Sequence, residues 1–314
     1  MINFVLLFSE KYIKMEIKEL YEIYKAHPVV TTDSRNCPEG SIFFALKGET
    51  FDGNKFAVAA IEKGCAYAVV DDKTVEHPQT ILVDNVLDTL QQLARYHREQ
   101  LDIPFVGITG TNGKTTTKEL VATVLSKKYR VHYTQGNFNN HIGVPLTLLS
   151  IKPDCEIAVI EMGANHPGEI KTLANIALPT CGLITNVGKA HLEGFGSLEG
   201  VINTKKELYD NLVERGGHLF VNAANPLLMN VLNAKSYTTY SSNPDVAADV
   251  NGRLLRCAPC VEFEWENREL KTNFVGAYNL DNMLAAITVG LHFGVAEEDI
   301  CAALSEYAPA NNRS

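Results

Sequence analysis

One stretch restricts the fold of this chain more than any other: Phe105-Val-Gly-Ile-Thr-Gly-Thr-Asn-Gly-Lys-Thr-Thr-Thr117. Ile103 to Ile108 is an apolar run of β-branched and aromatic residues without helical spacing, so it reads as a buried strand. Gly110-Thr-Asn-Gly113 follows as a turn. From Lys118 to Lys127, Leu120, Val121, Val124 and Leu125 fall on one helical face. Strand, glycine turn, Lys-Thr and helix make a phosphate cradle. The glycines let backbone N–H groups converge on oxygens, the helix N-terminus adds positive potential, Lys114 supplies a charge and Thr115 a hydroxyl for Mg²⁺. Ile108 stands where the standard pattern has its first glycine, so the motif is the tighter Gly110-x-x-Gly113-Lys-Thr.

The chain has 314 residues, enough for about two domains, and its net charge of −9 argues against a nucleic-acid partner. Anionic small substrates remain compatible, because a site can be locally basic on an acidic protein. Seven cysteines without a framework suit a reducing cytosol, and the close pair Cys257-Ala-Pro-Cys260 reads as structural. Met1 to Phe8 is apolar but too short to span a membrane, and no small-residue cleavage site follows. A cytoplasmic protein without membrane insertion is expected. An amphipathic helix with Ile17, Leu20, Ile23 and Tyr24 on one side begins near Met15, which is therefore an alternative start.

The expected fold class is α/β. Residues 1–100 alternate short strands (41–46, 66–70, 80–83) with helices (54–63, 86–100), which indicates a small N-terminal α/β domain. Residues 101–306 form a P-loop-type nucleotide-binding α/β domain with a mostly parallel sheet, and 307–314 read as a linker. Within the second domain, strands are expected at 129–133, 156–161, 181–185 and 217–221, with short β runs after Ser236 and helices at 198–212, 276–293 and 297–307. In open α/β sheets ligands bind at the carboxyl ends of strands. Three polar features follow apolar strands in this way: the Gly110 loop, Glu161, and the loop holding His191. Glu161 suits Mg²⁺, which takes carboxylate, water and phosphate oxygens.

Several segments together resemble the Mur ligases of peptidoglycan synthesis. They are Thr109 to Thr115, Gly136-Asn-Phe-Asn-Asn140 with Gly143-Val-Pro145, Glu161 to Glu169, Ala190 to Ser197, Lys205-Lys-Glu-Leu208 and Asn279-Leu-Asp-Asn282. The Asn-His-Pro-Gly-Glu and His-Leu-Glu-Gly-Phe-Gly segments resemble the member that adds D-alanyl-D-alanine to the UDP-N-acetylmuramoyl tripeptide. The resemblance implies that Asp33, Ser34 and Arg35 bind the uridine diphosphate end of that substrate, with Asn139 and Asn140 as further substrate contacts. It implies ATP on Gly110, Thr111, Asn112, Gly113, Lys114, Thr115 and Thr116, with Asn279, Asn282 and Arg313 also reaching the nucleotide. Two Mg²⁺ ions are implied, on Thr115, Glu161, His191 and a carbamylated Lys205, and Lys114, Lys205 and His191 are the implied catalytic set.

Asn54, where a His often follows Asp-Gly, and Asn312-Arg313, in place of Gly-Arg, depart from the family pattern. The implied reaction proceeds through an acyl phosphate, and its problem is one of charge: an anionic carboxylate must meet an anionic γ-phosphate. A carbamate would turn Lys205 into an oxygen ligand, and carbamylation needs a neutral amine, so its pKa is expected to be depressed by burial or by cations such as Lys206. The family's third domain is not expected within these residues, and without it the fragment is expected to fold but not to ligate. A monomer is expected, and some relatives are fused to an alanine racemase. The competing readings are a folylpolyglutamate synthase-like ligase, which would lack the first domain, and a catalytically inactive nucleotide-binding module. A GTPase-type switch lacks an Asn-Lys-x-Asp guanine motif here.

Overall fold

The computed structural model describes residues 15–188 and 195–308. The chain divides into two compact units, one ending at Tyr96 and one beginning at His97. Among the described residues, thirteen strands lie in two sheets.

The first unit holds a four-stranded sheet in the order β1-β2-β3-β4, all neighbours parallel: β1 Val30–Thr31, β2 Ile42–Phe44, β3 Tyr67–Val70 and β4 Thr80–Leu82. Helix α1 (Ile17–Ala26) starts at a capping box in which Glu16 and Glu19 satisfy each other's backbone N–H groups, and it buries Leu20 and Tyr24. Helix α2 (Ala57–Glu62) follows a 3₁₀ turn and packs Ala57, Ala60 and Ile61 against Phe43, Ala68 and Val70. Helix α3 spans Val86–Glu99. All three strands of the sequence reading are present. Val30–Thr31, at two residues, is too short for any periodicity to announce it.

The second unit is built on a nine-stranded sheet in the order β13-β12-β11-β10-β9-β8-β5-β7-β6. Its middle is β5 (Phe105–Thr109), flanked by β7 (Ile157–Glu161) and β8 (Cys181–Ile184). Outward lie β6 (Val131–Tyr133) on one side and β9 (His218–Asn222), β10 (Tyr237–Ser241) and β11 (Val250–Arg256) on the other, all parallel. The edge is an antiparallel hairpin of β12 (Glu262–Trp265) and β13 (Arg268–Lys271). Its two turn residues, Glu266 and Asn267, have φ of 50° and 59°, the left-handed pair that a two-residue hairpin needs.

The chain leaves β5 towards β6 and β7, then crosses to β8 on the other side of β5. The carboxyl end of β5 is therefore a topological switch point, where open α/β sheets bind ligands. Helix α4 (Lys114–Leu125) springs from that end. It packs against α9 (Asn279–His292) and α10 (Glu297–Glu306), burying Leu120, Val124, Met283, Leu284 and Ile300. Helices α5 (Gly143–Leu149), α6 (Glu169–Ala177) and α7 (Leu198–Glu214) follow β6, β7 and β8, and the short α8 (Pro226–Val231) follows β9. The sequence does not resolve α8, and it gives β10 and β11 only as unbounded β runs after Ser236; most residues of β11 are exposed and alternate weakly.

Candidate functional site

Strand β5 ends in Thr109, whose hydroxyl donates to the Met162 carbonyl at 2.8 Å and so joins the ends of β5 and β7. The glycine turn begins there. Gly110 has φ +147°, and a Cβ on it would lie 2.0 Å from Thr185 Oγ1, so only glycine lets β8 approach this closely. Gly113, at φ +78°, would place a Cβ 2.6 Å from Asn282 Oδ1. The turn is thus held between β8 and the first turn of α9.

Its charged residue is Lys114, whose ammonium donates to the carbonyls of Gly110 and Thr111, each at 2.9 Å. Burial lowers its pKa, while Glu161 opposes the shift. Thr115 and Thr116 lie in the same first helical turn. The Thr115 hydroxyl donates to Glu161 Oε1 at 3.3 Å, and Asn139 Nδ2 donates to the same oxygen at 2.8 Å. Glu161 is 1% exposed, and its other carboxylate oxygen, Oε2, is buried without a hydrogen-bond partner. A buried carboxylate oxygen without a donor is costly unless a cation meets it. With the Thr115 hydroxyl alongside, the pair fits Mg²⁺, which takes one or two carboxylates and completes its shell with phosphate and water oxygens. Among the described residues no cluster of three or more His, Cys, Asp or Glu could hold a metal unaided.

Lys114 and Lys205 line one cavity of about 690 Å³, together with Asn139, Asn140, Gly163 and Glu169. Lys205, on α7, is 3% exposed, with its ammonium 5.4 Å from the centre of the Phe195 ring. Burial, and then the charge of Lys114, bring its pKa down to about 8, against the opposing pull of Glu169 and Glu207. The cation that acts on Lys205 is therefore Lys114 and not Lys206, contrary to the sequence expectation. Lys206 points to solvent and pairs with Asp210 one helical turn away. The loop before α6 is fixed by two carboxylates. Glu169 accepts from the N–H groups of Asn165 and His166, and Glu207 accepts from those of Gly168 and Lys171, both at 2.8 Å.

The remaining sequence candidates divide. Asn140 lines the cavity, but its side-chain oxygen accepts from the N–H groups of Ile142 and Gly143, starting α5. Asn139 turns onto Glu161. Asn279 and Asn282 are buried, with Asn282 donating to Asn279 Oδ1 at 3.0 Å and accepting from the Thr117 hydroxyl at 3.1 Å. In this arrangement the two support the glycine turn from beneath. Asp33, Ser34 and Arg35 belong to the first unit. Arg35 forms a two-pronged bond to Asp33, 2.9 Å on each arm, and holds its carboxyl down to about 2, while the Ser34 carbonyl accepts from Lys63. Asn54, the departure from the family pattern, is buried between Asp52 and Asp71 and donates to both at 2.9 Å. His191 and Arg313 lie outside the described residues.

Sequence reasoning missed Thr134, whose hydroxyl accepts from the Glu161 N–H at 3.0 Å, and also Glu207 and Asn186. Asn186 follows the end of β8 by two residues, and this place just beyond an apolar strand was the available signal.

Comparison with known proteins agrees with this construction. The Mur ligase middle domain matches residues 108–290, and the Mur ligase family catalytic domain matches residues 28–98. A UDP-N-acetylmuramoyl-tripeptide–D-alanyl-D-alanine ligase of Bacillus subtilis is 40% identical over 93% of this chain and 67% of its own length. The enzyme of the same name from Escherichia coli is 36% identical over 88% of this chain and 62% of its own. Among solved structures, MurF of Acinetobacter baumannii superposes with a TM-score of 0.83 at 30% identity, covering 93% of this chain and 68% of that one. MurF ligase of Thermotoga maritima in complex with ADP superposes at 0.79 and 30% identity, covering 91% and 67%. The chain thus spans about two thirds of the length of these relatives, or somewhat less. A mostly parallel sheet with a glycine loop at its switch point, and a buried lysine lining the same cavity as that loop, matched over both units by these models, places the chain in the Mur ligase family.

Proposed function

We propose that this chain carries the nucleotide and carboxylate-activating part of an ATP-dependent ligase that joins D-alanyl-D-alanine to UDP-N-acetylmuramoyl tripeptide through an acyl phosphate. The observation that carries the reading is that Gly110, Thr111 and Lys114 of the glycine loop and the buried Lys205 line one cavity, where Asn139 also bonds Glu161, whose other oxygen has no partner. The names of the relatives supply the substrates.

The N–H groups from Gly113 into the start of α4 bind the ATP phosphates, and Lys114 exchanges its two loop carbonyls for phosphate oxygens. Glu161 and Thr115 would hold Mg²⁺, whose charge offsets that of the γ-phosphate as the substrate carboxylate attacks. Lys205 supports carbamylation, since a pKa near 8 leaves an appreciable neutral fraction at cellular pH. As a carbamate it would supply an oxygen ligand for Mg²⁺, and His191, outside the described residues, is the further ligand of this reading. The pair Asp33–Arg35, with Ser34, serves the uridine diphosphate end of the substrate. Asn279 and Asn282 act on the nucleotide by shaping its loop. No helix among the described residues is long and apolar enough to cross a membrane.

Titration calorimetry with Mg·ADP and Mg·GDP tests the reading. Wild type is expected to bind ADP in preference to GDP, and Lys114→Ala to weaken ADP by about 10- to 100-fold, the worth of one charge-assisted bond. Unchanged affinity in Lys114→Ala would remove the loop from the mechanism. A carbamate carbonyl resonance in ¹³C-bicarbonate, absent in Lys205→Ala, is the corresponding check on Lys205.

A further inference from the structure

The phosphate loop is bonded to the end of β8 by one side chain that takes no part in the mechanism above. Asn186 Oδ1 accepts from the Asn112 N–H at 3.0 Å, and Asn186 Nδ2 donates to the Asn112 carbonyl at 3.0 Å. The Asn186 main-chain carbonyl accepts from the Thr111 N–H at 3.0 Å. Around this the Thr185 hydroxyl donates to the Asn112 carbonyl at 2.6 Å, and the Gly188 N–H donates to the Thr111 hydroxyl at 3.0 Å. A single carboxamide therefore pairs with both the N–H and the C=O of one loop residue, as a neighbouring strand would. Only Asn and Gln carry a donor and an acceptor together in this form, and Gln is one methylene longer.

We propose that Asn186 is a positioning residue for phosphate capture. It takes up the Thr111 and Asn112 N–H groups and, with Thr185, turns the Asn112 carbonyl away from the cradle, where a carbonyl dipole would repel an anion. The N–H groups from Gly113 onward, at the start of α4, are then the ones that converge on phosphate. Asn282 holds the other side of the same turn at Gly113. The loop is fixed from both flanks before any anion arrives, so binding does not have to order it. This rests on the reading of the loop as a nucleotide site.

The experiment uses Asn186→Asp, which keeps the acceptor and the shape but replaces the donor with a second acceptor facing the Asn112 carbonyl. Calorimetric Kd values for Mg·ADP and for AMP are compared in wild type and variant, together with the nucleotide-free Tm. Mg·ADP is expected to weaken by about tenfold or more, the worth of one hydrogen bond. AMP, which lacks the second phosphate, is expected to stay within about twofold, and Tm within about 2 °C, less than the shift from 1 kcal/mol of destabilisation. A smaller loss for Mg·ADP, an equal loss for AMP, or a larger fall in Tm overturns the proposal, because each shows either no role or a merely structural one. Asn186→Gln, with both groups on a longer stem, should recover part of the ADP affinity if the paired bonds matter, and recovery of none overturns it as well. If wild type itself fails to bind Mg·ADP, the nucleotide reading fails first.

Discussion

Burial sets the chemistry of single side chains in this protein, and His97 offers a clean test of it. The residue is 8% exposed, and burial brings its imidazole down to about 4. In the unfolded chain the same group titrates near 6.5, so between about pH 6.5 and 4 the unfolded state takes up a proton that the folded state refuses. Stability is therefore lost as pH falls through that window, by about 2 kcal/mol at pH 5 from this group alone. Urea denaturation at pH 7 and pH 5 should show wild type losing about that much more than His97→Met. An equal loss in both would mean that His97 is not held neutral. Lys205 obeys the same physics, since its burial beside Lys114 favours the neutral amine.

Among the elements, the pairing of α4 with α9 matters most, because it places Asn282 under the glycine turn. Gly290 marks the closest approach: a Cβ there would lie 2.5 Å from Val124 Cγ1 and 3.1 Å from Ile300 Cδ1. Glycine inside a helix costs about 0.5–1 kcal/mol relative to alanine, so its presence here is explained by the space and not by the helix. Gly290→Val is expected to destabilise by about 1–3 kcal/mol as the overpacked helices separate. It should also weaken Mg·ADP by shifting Asn282. Urea midpoints and calorimetry check the two effects, and a variant as stable as wild type would mean that these helices are not in close contact. Periodicity had placed Leu120, Val121, Val124 and Leu125 on one face of α4, and all four are buried. It began that helix at Lys118, whereas the helix starts at Lys114, because its first turn is polar and belongs to the site.

At the scale of the whole molecule, two compact units have separate cores. The apolar cluster around Phe43, Ala57 and Val70 belongs to the first, and that around Val106, Leu120 and Met283 to the second. Ligand binding stabilises the part that binds, by about 2.7 kcal/mol at a ligand concentration 100-fold above Kd. Hydrogen exchange with saturating Mg·ADP should therefore slow in β5, the glycine turn, α4 and the first turn of α9, while β1 to β4 of the first unit change little. Protection spread evenly over both units, or confined to the first, would place the nucleotide elsewhere.

What the residues announced on their own was whatever depends on near neighbours in the chain. The apolar runs at 105–109 and 157–161 became strands because each residue there carries its own burial preference, and Gly110 and Gly113 marked a turn because only glycine takes those angles without cost. The order of strand, turn, lysine and helix was already enough to indicate a phosphate site. The partners were not readable. Asn139 meets Glu161, Lys205 feels Lys114 and not its neighbour Lys206, Asn282 supports Gly113, and Asn186 pairs with Asn112. Each of these is a hydrogen bond, a close approach or a Coulomb interaction whose strength depends on distance in space. That distance exists only once β5, β7 and β8 lie side by side and α9 has packed onto α4.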